Sequence, residues 1–400
     1  MTATIIITLC ILVLIAYIFD ITSSKTSIPS VILLLLLGFI ARELTIYLNI
    51  EIPDLSPLLP GLGTIGLILI VLEGSLDLEL SKTKMLTVKK SFISALAPMV
   101  ILGLLIGVYF SYTGNVSLKD GISNALPFCV ISSAIAIPSV KNLNNTKRTF
   151  IIYESSFSDI LGVIFFNFIT FNEIINLFSI THFITQFIIM AVIAITSTAL
   201  LSLLLSKINH HVKFIPIVLL LILIYELSKI YNLPALIFIL VFGLAVGNLD
   251  KLSGIRSIKI LRVEELKQEI NKFKGLVTEF TFLIRTLFFL LFGFLMDKST
   301  ILNIDTVIPA VLIVMLIFFL RAVQLLLLKI ELRPILFIAP RGLITILLFI
   351  SIPVNQSLWH VEDSLIIQVI ILSTLLMMFG LMLKKEKREI IKNIDDGKNG

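Results

Sequence analysis

Residues 28–41 read IPSVILLLLLGFIA, and residues 233–246 read LPALIFILVFGLAV. Pro29 and Gly38 in the first stretch have the spacing of Pro234 and Gly243 in the second, at an offset of 205 residues. Neither stretch carries a charge, and each is the centre of an apolar run long enough to cross the ~30 Å of hydrocarbon in a bilayer. A second pair lies just downstream of each: LEGSLD (72–77) and LFGFLMD (291–297) align Gly74 with Gly293 at an offset of 219. Two consecutive membrane spans thus recur in the second half of the chain, which points to an internal repeat.

Working outward, the whole chain has the same character. Of its 400 residues 58% are hydrophobic and 14% charged, with a mean hydropathy of +1.07. Soluble domains run near 45–50% apolar and about 25% charged, so the bilayer is the solvent here. An extended cytosolic catalytic domain, a secreted disulfide scaffold and a soluble nucleic-acid binder are excluded. Cys10 and Cys129 both lie in apolar segments, where they can frame neither a disulfide scaffold nor a zinc site. The N-terminus has no basic region and no small-residue cleavage site, so the first helix is expected in the mature chain.

Apolar runs and polar breaks predict thirteen spans, at 3–19, 29–47, 61–77, 92–112, 121–140, 149–171, 182–206, 213–229, 233–249, 276–296, 304–328, 333–353 and 363–383. The odd-numbered loops hold nineteen Lys and Arg residues and the even-numbered loops four. By the positive-inside rule the N-terminus faces out and the C-terminus is cytoplasmic. The formal charge of +6 is then a consequence of topology and needs no nucleic acid or acidic partner. In this orientation spans 2 and 9 run in opposite directions. The chain therefore reads as inverted repeats at 1–171 and 213–383, joined by a linker helix in 172–212 and followed by a short tail, 384–400. The long loop 250–275 has apolar residues at helical spacing and predicts a short amphipathic helix along the interface.

Span 5 contains FCVISSAIAIPSV (128–140), with Pro127 and Pro138 flanking Ser132 and Ser133, and span 12 contains FIAPRGLITIL (337–347), with Pro340 and Gly342. Interrupted helices at corresponding places in two inverted halves point to a transport site near the bilayer midplane. Both spans are expected to be discontinuous, with half-helix ends supplying dipoles and backbone oxygens.

Ionisable groups at bilayer depth cost roughly 2.5–3.5 kcal/mol each, so each one present requires a reason. Span 6, TFIIYESSFSDILGVIFFNF (149–168), holds Glu154 and Asp159. At about 100° per residue they lie about 140° apart on the helix and are expected to do different jobs. Ser155 stands one turn before Asp159, and Ser158 one turn after Glu154. Hydroxyl oxygens beside a carboxylate suit a hard monovalent cation. Arg285 and Arg341 are deep cations needing carboxylate partners. Asp20, Glu226, Glu279 and Arg321 are read as near span ends or able to snorkel, Glu73 and Asp77 as the rim of a solvated funnel, and His182, His210, His211 and His360 as loop or span-end residues. His210 and His211 leave pH sensing open. No zinc-protease, phosphate-loop or serine-nucleophile motif is present, and no cofactor is expected.

These residues together resemble the monovalent cation:proton antiporter superfamily, and more closely its family 1 of sodium/proton exchangers, over nearly the whole chain. Glu154 followed by Ser158-Asp159 is similar to that family's glutamate and Asn-Asp pattern. APRGLIT (339–345) is similar to its Arg-Gly stretch, and LEGSLDLEL (72–80) and FLIRTLFFLLFGF (282–294) to its Gly-Leu-acidic and Arg-plus-aromatic elements. The resemblance implies an all-α membrane fold with two discontinuous crossing helices, Asp159 as the ion-binding carboxylate, Glu154 with Arg285 as a structural pair, and Arg341 as a crossing-helix residue near the site. It further implies a homodimer in the plasma membrane, in contact with lipid, that exchanges sodium for protons by alternating access, without enzymatic activity.

Two positions depart from the family pattern. The Asn before the aspartate is Ser158, and the Thr-Asp-Pro of the first unwound helix falls on Ile135-Ala136-Ile137, so no carboxylate stands at Ala136. With one titrating carboxylate, electroneutral 1:1 exchange is expected. Ser132 and Ser133 are similar to the Ser-Ser of the potassium-efflux branch, which keeps potassium open as the ion. A non-transporting ion sensor and an intramembrane enzyme are the readings from other classes.

Overall fold

The computed structural model of the chain describes residues 2–26, 28–50, 52–78, 84–140, 143–172, 177–207, 214–231, 233, 235–248, 263–298 and 303–396. Every regular element among the described residues is helical. In chain order these are α1 (Thr2–Thr26), α2 (Ser30–Tyr47), α3 (Leu58–Asp77), α4 (Met85–Gly114), α5 (Leu118–Cys129), α6 (Ser133–Ser139), α7 (Asn145–Phe171), α8 (Leu177–Lys207), α9 (Phe214–Ile230), α10 (Leu236–Gly247), α11 (Val263–Leu295), α12 (Ile304–Leu327), α13 (Leu343–Ile350) and α14 (Asp363–Asp396). Counting α5 and α6 as two halves of one crossing leaves thirteen crossings among the described residues, the number read from the sequence. Nine helical segments, one of them α5 and α6 taken together, are long and apolar enough to span a bilayer. The chain is an all-α, multi-pass membrane protein.

Helix ends follow local chemistry. Ser117, Asn144 and Asn303 each accept a backbone N–H of the first turn that follows, at α5, α7 and α12. Asn115 ends α4 in the left-handed region with φ 52°, a conformation that asparagine tolerates better than most side chains.

Of the stretch 250–275, where an amphipathic helix is expected, the described part runs from Val263 straight into the membrane segment as one 33-residue helix, α11. No proline interrupts it, and a Cβ on Gly275 would meet nothing within 4 Å, so that glycine marks no close contact. Residues 250–262 of that loop, His210 and His211, and Pro234 lie outside the described residues. Likewise the tail continues α14 to Asp396.

Close helix contacts occur where the sequence repeats. A Cβ on Gly38 of α2 would lie 2.2 Å from the Leu290 carbonyl of α11, and one on Gly293 of α11 would lie 2.3 Å from the Leu35 carbonyl of α2. In parallel, Gly243 of α10 meets Ser75 of α3, 1.8 Å from a would-be Cβ. Only hydrogen fits at these positions, so the backbones touch. The offsets in sequence match α2 to α10 and α3 to α11, and the two contacts exchange under that match. At the α2–α11 contact the C-terminal ends of the two helices are joined by ion pairs, Arg42 with Asp297 and Lys298 with Glu43.

The fifth and twelfth crossings are both interrupted. Val130–Ser132 separate α5 from α6, and in the twelfth crossing a single 3-10 turn (Ile335–Phe337) is followed by irregular backbone up to Gly342, where α13 begins. The first half of the twelfth crossing is thus shorter than a half-helix, because Pro340 has no N–H to return to the carbonyl of Leu336.

Candidate ion-binding site

In an unbroken helix the Ser132 N–H would bond the Phe128 carbonyl, four residues back. Here each group turns to the other broken crossing. Ser132 N–H donates to the Pro340 carbonyl at 2.9 Å, and the Phe128 carbonyl accepts from Nε of Arg341 at 2.7 Å. One intrahelical bond is replaced by two between crossings. Further groups at the break are met too: Ile131 N–H donates to Oγ of Ser158 on α7 at 2.9 Å, and Arg341 N–H to Oγ of Ser373 on α14 at 3.1 Å. Irregular backbone is tolerated at membrane depth when its polar groups are satisfied inside the protein in this way. The close approach depends on Gly342, where a Cβ would stand 2.7 Å from Ser132 Oγ and from Ile135 Cδ1.

Asp159 on α7 faces this junction with no solvent exposure. Ser133, the first residue of α6, donates its hydroxyl to Asp159 Oδ2, whereas Asp159 Oδ1 has no hydrogen-bond partner. The Ser132 hydroxyl, 1% exposed, also has none. A buried carboxylate oxygen without a donor is costly, which marks Asp159 as a candidate site. The other residues marked by the sequence are used differently. Ser155 donates its hydroxyl to the Ile151 carbonyl of its own helix at 2.8 Å, and Ser158 caps the break through Ile131. Both are buried, Ser158 next to Asp159 in sequence and Ser155 one turn before it, and each hydroxyl oxygen keeps a lone pair open to a cation.

Glu154, one and a half turns away, is the opposite case. The expected pairing with Arg285 is corrected by the structure: the partner of Glu154 is Arg321 of α12. Arg321 Nη1 and Nη2 donate to Glu154 Oε1 and Oε2 at 3.0 and 2.9 Å, a two-pronged match of guanidinium to carboxylate. Ser94 Oγ of α4 adds a third donor to Oε1 at 2.5 Å. Arg321 is itself only 3% exposed, so it does not snorkel as its distance from the span end suggested. Its Nε is spent on the Ile335 carbonyl at 3.1 Å. Gln324, one turn after Arg321, donates Nε2 to the Ser94 carbonyl at 2.8 Å and also to the Ser94 hydroxyl. That carbonyl is available because its helical donor would be residue 98, which is proline.

Arg285 goes elsewhere. It is 9% exposed, with Nη1 3.3 Å from the Ala134 carbonyl of α6 and Nη2 3.4 Å from Asp20 Oδ1 of α1. Glu73 of α3 is electrostatically coupled to it, and Asp77 pairs with Lys274 of α11. The expectation that Arg341 needs a carboxylate is also corrected. Its guanidinium, 1% exposed, is held by the carbonyls of Phe128 and Ala339, since backbone carbonyls freed at the breaks supply the negative ends it requires.

The sequence reading missed Arg321, Ser94 and Gln324 as a group. The available signal was the spacing of Arg321 and Gln324 at i and i+3 inside an apolar span, which places both on one face, and the proline at 98 that frees a carbonyl.

Two broken crossings that meet beside a buried, half-partnered carboxylate are the architecture of a secondary transporter, not of an enzyme. The family model described as sodium/hydrogen exchanger, transmembrane, matches residues 10–385, and the chain belongs to that family. Its fold is similar to two solved structures of the sodium proton antiporter MjNhaP1 from Methanocaldococcus jannaschii. One, determined at pH 8, has 21% sequence identity and a TM-score of 0.68, covering 96% of each chain. The other, an electron-microscopy map, has 19% identity and a TM-score of 0.70, covering 98% of this chain and 97% of that one. A search of curated protein sequences finds no significant match.

Proposed function

We propose that the protein exchanges sodium for protons across the cytoplasmic membrane by alternating access, with Asp159 binding the two ligands in turn. The observation that carries this reading is the state of the Asp159 carboxylate: fully buried, one oxygen held by Ser133, the other without a partner, at the junction of the two broken crossings. A proton or a monovalent cation can each supply what Oδ1 lacks, and the two compete for one carboxylate. That competition is the coupling. Ser132 Oγ and the irregular backbone of both crossings are the further oxygen donors, a hard-ligand set suited to sodium. Membership of the exchanger family and the likeness to a sodium proton antiporter favour sodium and proton as the pair.

Glu154 is satisfied by Arg321 and Ser94 and carries no ligand in this scheme. With a single exchanging carboxylate and Ser158 where a second acid could stand, the stoichiometry is 1:1 and electroneutral. The orientation is N-terminus out and C-terminus cytoplasmic, by the loop charges. The protein works as a homodimer, and the halves 1–171 and 213–383 are the inverted repeats whose relative movement alternates access.

The test is proton flux in proteoliposomes carrying a pH dye, for the parent and for Asp159→Asn, on adding sodium and then potassium. Sodium-dependent flux that Asp159→Asn abolishes supports the proposal. Flux with potassium alone replaces sodium as the ion, and flux that follows an imposed membrane potential overturns the 1:1 stoichiometry. No flux with either ion overturns the exchange reading.

A further inference from the structure

Pro138 leaves an acceptor open at one of the most sensitive places in the fold. The Ala134 carbonyl of α6 would take its helical hydrogen bond from the N–H of residue 138, and proline has none. Ala134 adjoins Ser133, whose hydroxyl is on Asp159. The first turn of α6, which must hold that hydroxyl in place, therefore lacks one of its own backbone bonds.

Arg285 fills the opening, donating Nη1 to the Ala134 carbonyl at 3.3 Å. The donor comes from α11, a helix that packs its glycine-lined face on α2. Asp20 of α1 balances the guanidinium through Nη2 at 3.4 Å, and Ser30 Oγ of α2 reaches the same Asp20 oxygen at 3.5 Å. The Arg285 Nε has no partner, so the contact with α6 is one of only a few that hold this side chain. Pro98 shows the same device in a second place. There it frees the Ser94 carbonyl for Gln324, beside Glu154.

We propose that Arg285 is a positioning residue for cation binding: by occupying the carbonyl that Pro138 leaves free, it fixes the first turn of α6 and with it the hydroxyl that Ser133 presents to Asp159. Arg285 does not touch the ion. Its effect passes through the backbone of α6, and Asp20 offsets its charge. This inference rests on the exchange reading above.

A double-mutant cycle tests it, using sodium-driven proton flux of the full chain in proteoliposomes. Pro138→Ala restores an N–H that can close the bond to Ala134 within α6, and so makes Arg285 dispensable. Loss of a charged hydrogen bond predicts that Arg285→Gln raises the sodium KM about tenfold, with kcat changed less than about twofold. In the Pro138→Ala background the same substitution should raise KM by no more than about threefold, the remainder being lost coupling. Arg285→Lys, which keeps the charge and a donor, should fall between parent and Arg285→Gln, and it takes the place of Arg285→Gln in the cycle if that variant does not fold. Equal effects in both backgrounds overturn the inference, as does a loss confined to kcat. If the parent shows no exchange, the exchange reading and this inference fall together, whereas exchange with an additive cycle overturns this inference alone.

Discussion

Two buried carboxylates on α7, Glu154 and Asp159, stand five positions apart, and their surroundings could hardly differ more. Glu154 receives three donors from two other helices, α4 and α12. Asp159 receives a hydroxyl on one oxygen and nothing on the other. Both have no solvent exposure, so burial alone does not decide which carboxylate exchanges ligands. The difference lies in whether neighbouring helices bring donors to saturate the group. Saturation makes Glu154 part of the scaffold, and the open oxygen is what supports Asp159 as the proposed site.

Exchanging the two carboxylates for amides is the most direct way to break this contrast. Asp159→Asn should reduce sodium-driven proton flux to the background of empty liposomes while the detergent-solubilised protein remains monodisperse by gel filtration. Glu154→Gln should instead show its effect in stability, with residual flux in whatever protein survives.

Next in size is the partner of Glu154. Arg321→Leu leaves a buried carboxylate without its counter-charge, which costs about 3–5 kcal/mol. A sharp fall in the melting temperature in detergent is expected. Removing both charges, as Glu154→Gln with Arg321→Met, should recover most of that loss, since a buried pair replaced whole is nearly neutral. If the double variant is as unstable as Arg321→Leu, the two side chains are not coupled as the geometry implies.

Gln324→Leu sharpens the comparison further, because it removes a donor from the Pro98-freed carbonyl of Ser94 without touching either carboxylate. A loss of about 1–3 kcal/mol is expected from the unsatisfied group, read as a smaller shift in melting temperature with flux retained. Smallest is Lys298→Ala just past the C-terminal end of α11, whose pairing with Glu43 spans 2.6 Å. The lysine side chain is 67% exposed, and surface pairs contribute about 0–1 kcal/mol. Its melting temperature should be indistinguishable from the parent at moderate salt.

Much of this arrangement is legible in the sequence. The apolar runs place the crossings to within a few residues for α2, α3, α9 and α12, because a helix in lipid satisfies its own backbone and its ends are set by where polar residues begin. The interruption at 338–342 follows from Pro340 and Gly342, whereas Pro127 and Pro138 only flank the one at 130–132. What misled was distance along the chain as a measure of depth. Arg321 stands seven residues from the end of its expected span, close enough to reach water in an isolated helix. In the fold α4 and α7 cover it, and the route to water is closed.

The partners were harder to read than the positions. Arg285 and Arg321 are both arginines in apolar spans, and nothing in either local sequence says which helix faces α7. The packing of α11 against α2 and α3 turns Arg285 toward α6 and α1, and the packing of α12 against α4 and α14 turns Arg321 toward Glu154.

That the chain crosses the membrane many times, that two of its crossings are broken and that two acids are buried on one helix can be read from the residues alone. Each of these follows from local chemistry, namely the transfer cost of polar groups, the missing N–H of proline and the 100° step of the helix. It takes the packed fold to make Phe128 and Ser132 exchange their mutual bond for bonds to Arg341 and Pro340, to saturate Glu154 with Arg321 and Ser94, and to leave Asp159 an open oxygen. These are relations between helices far apart in the chain, set by which faces pack together, and a hydrogen bond of about 3 Å leaves no latitude that local sequence could specify.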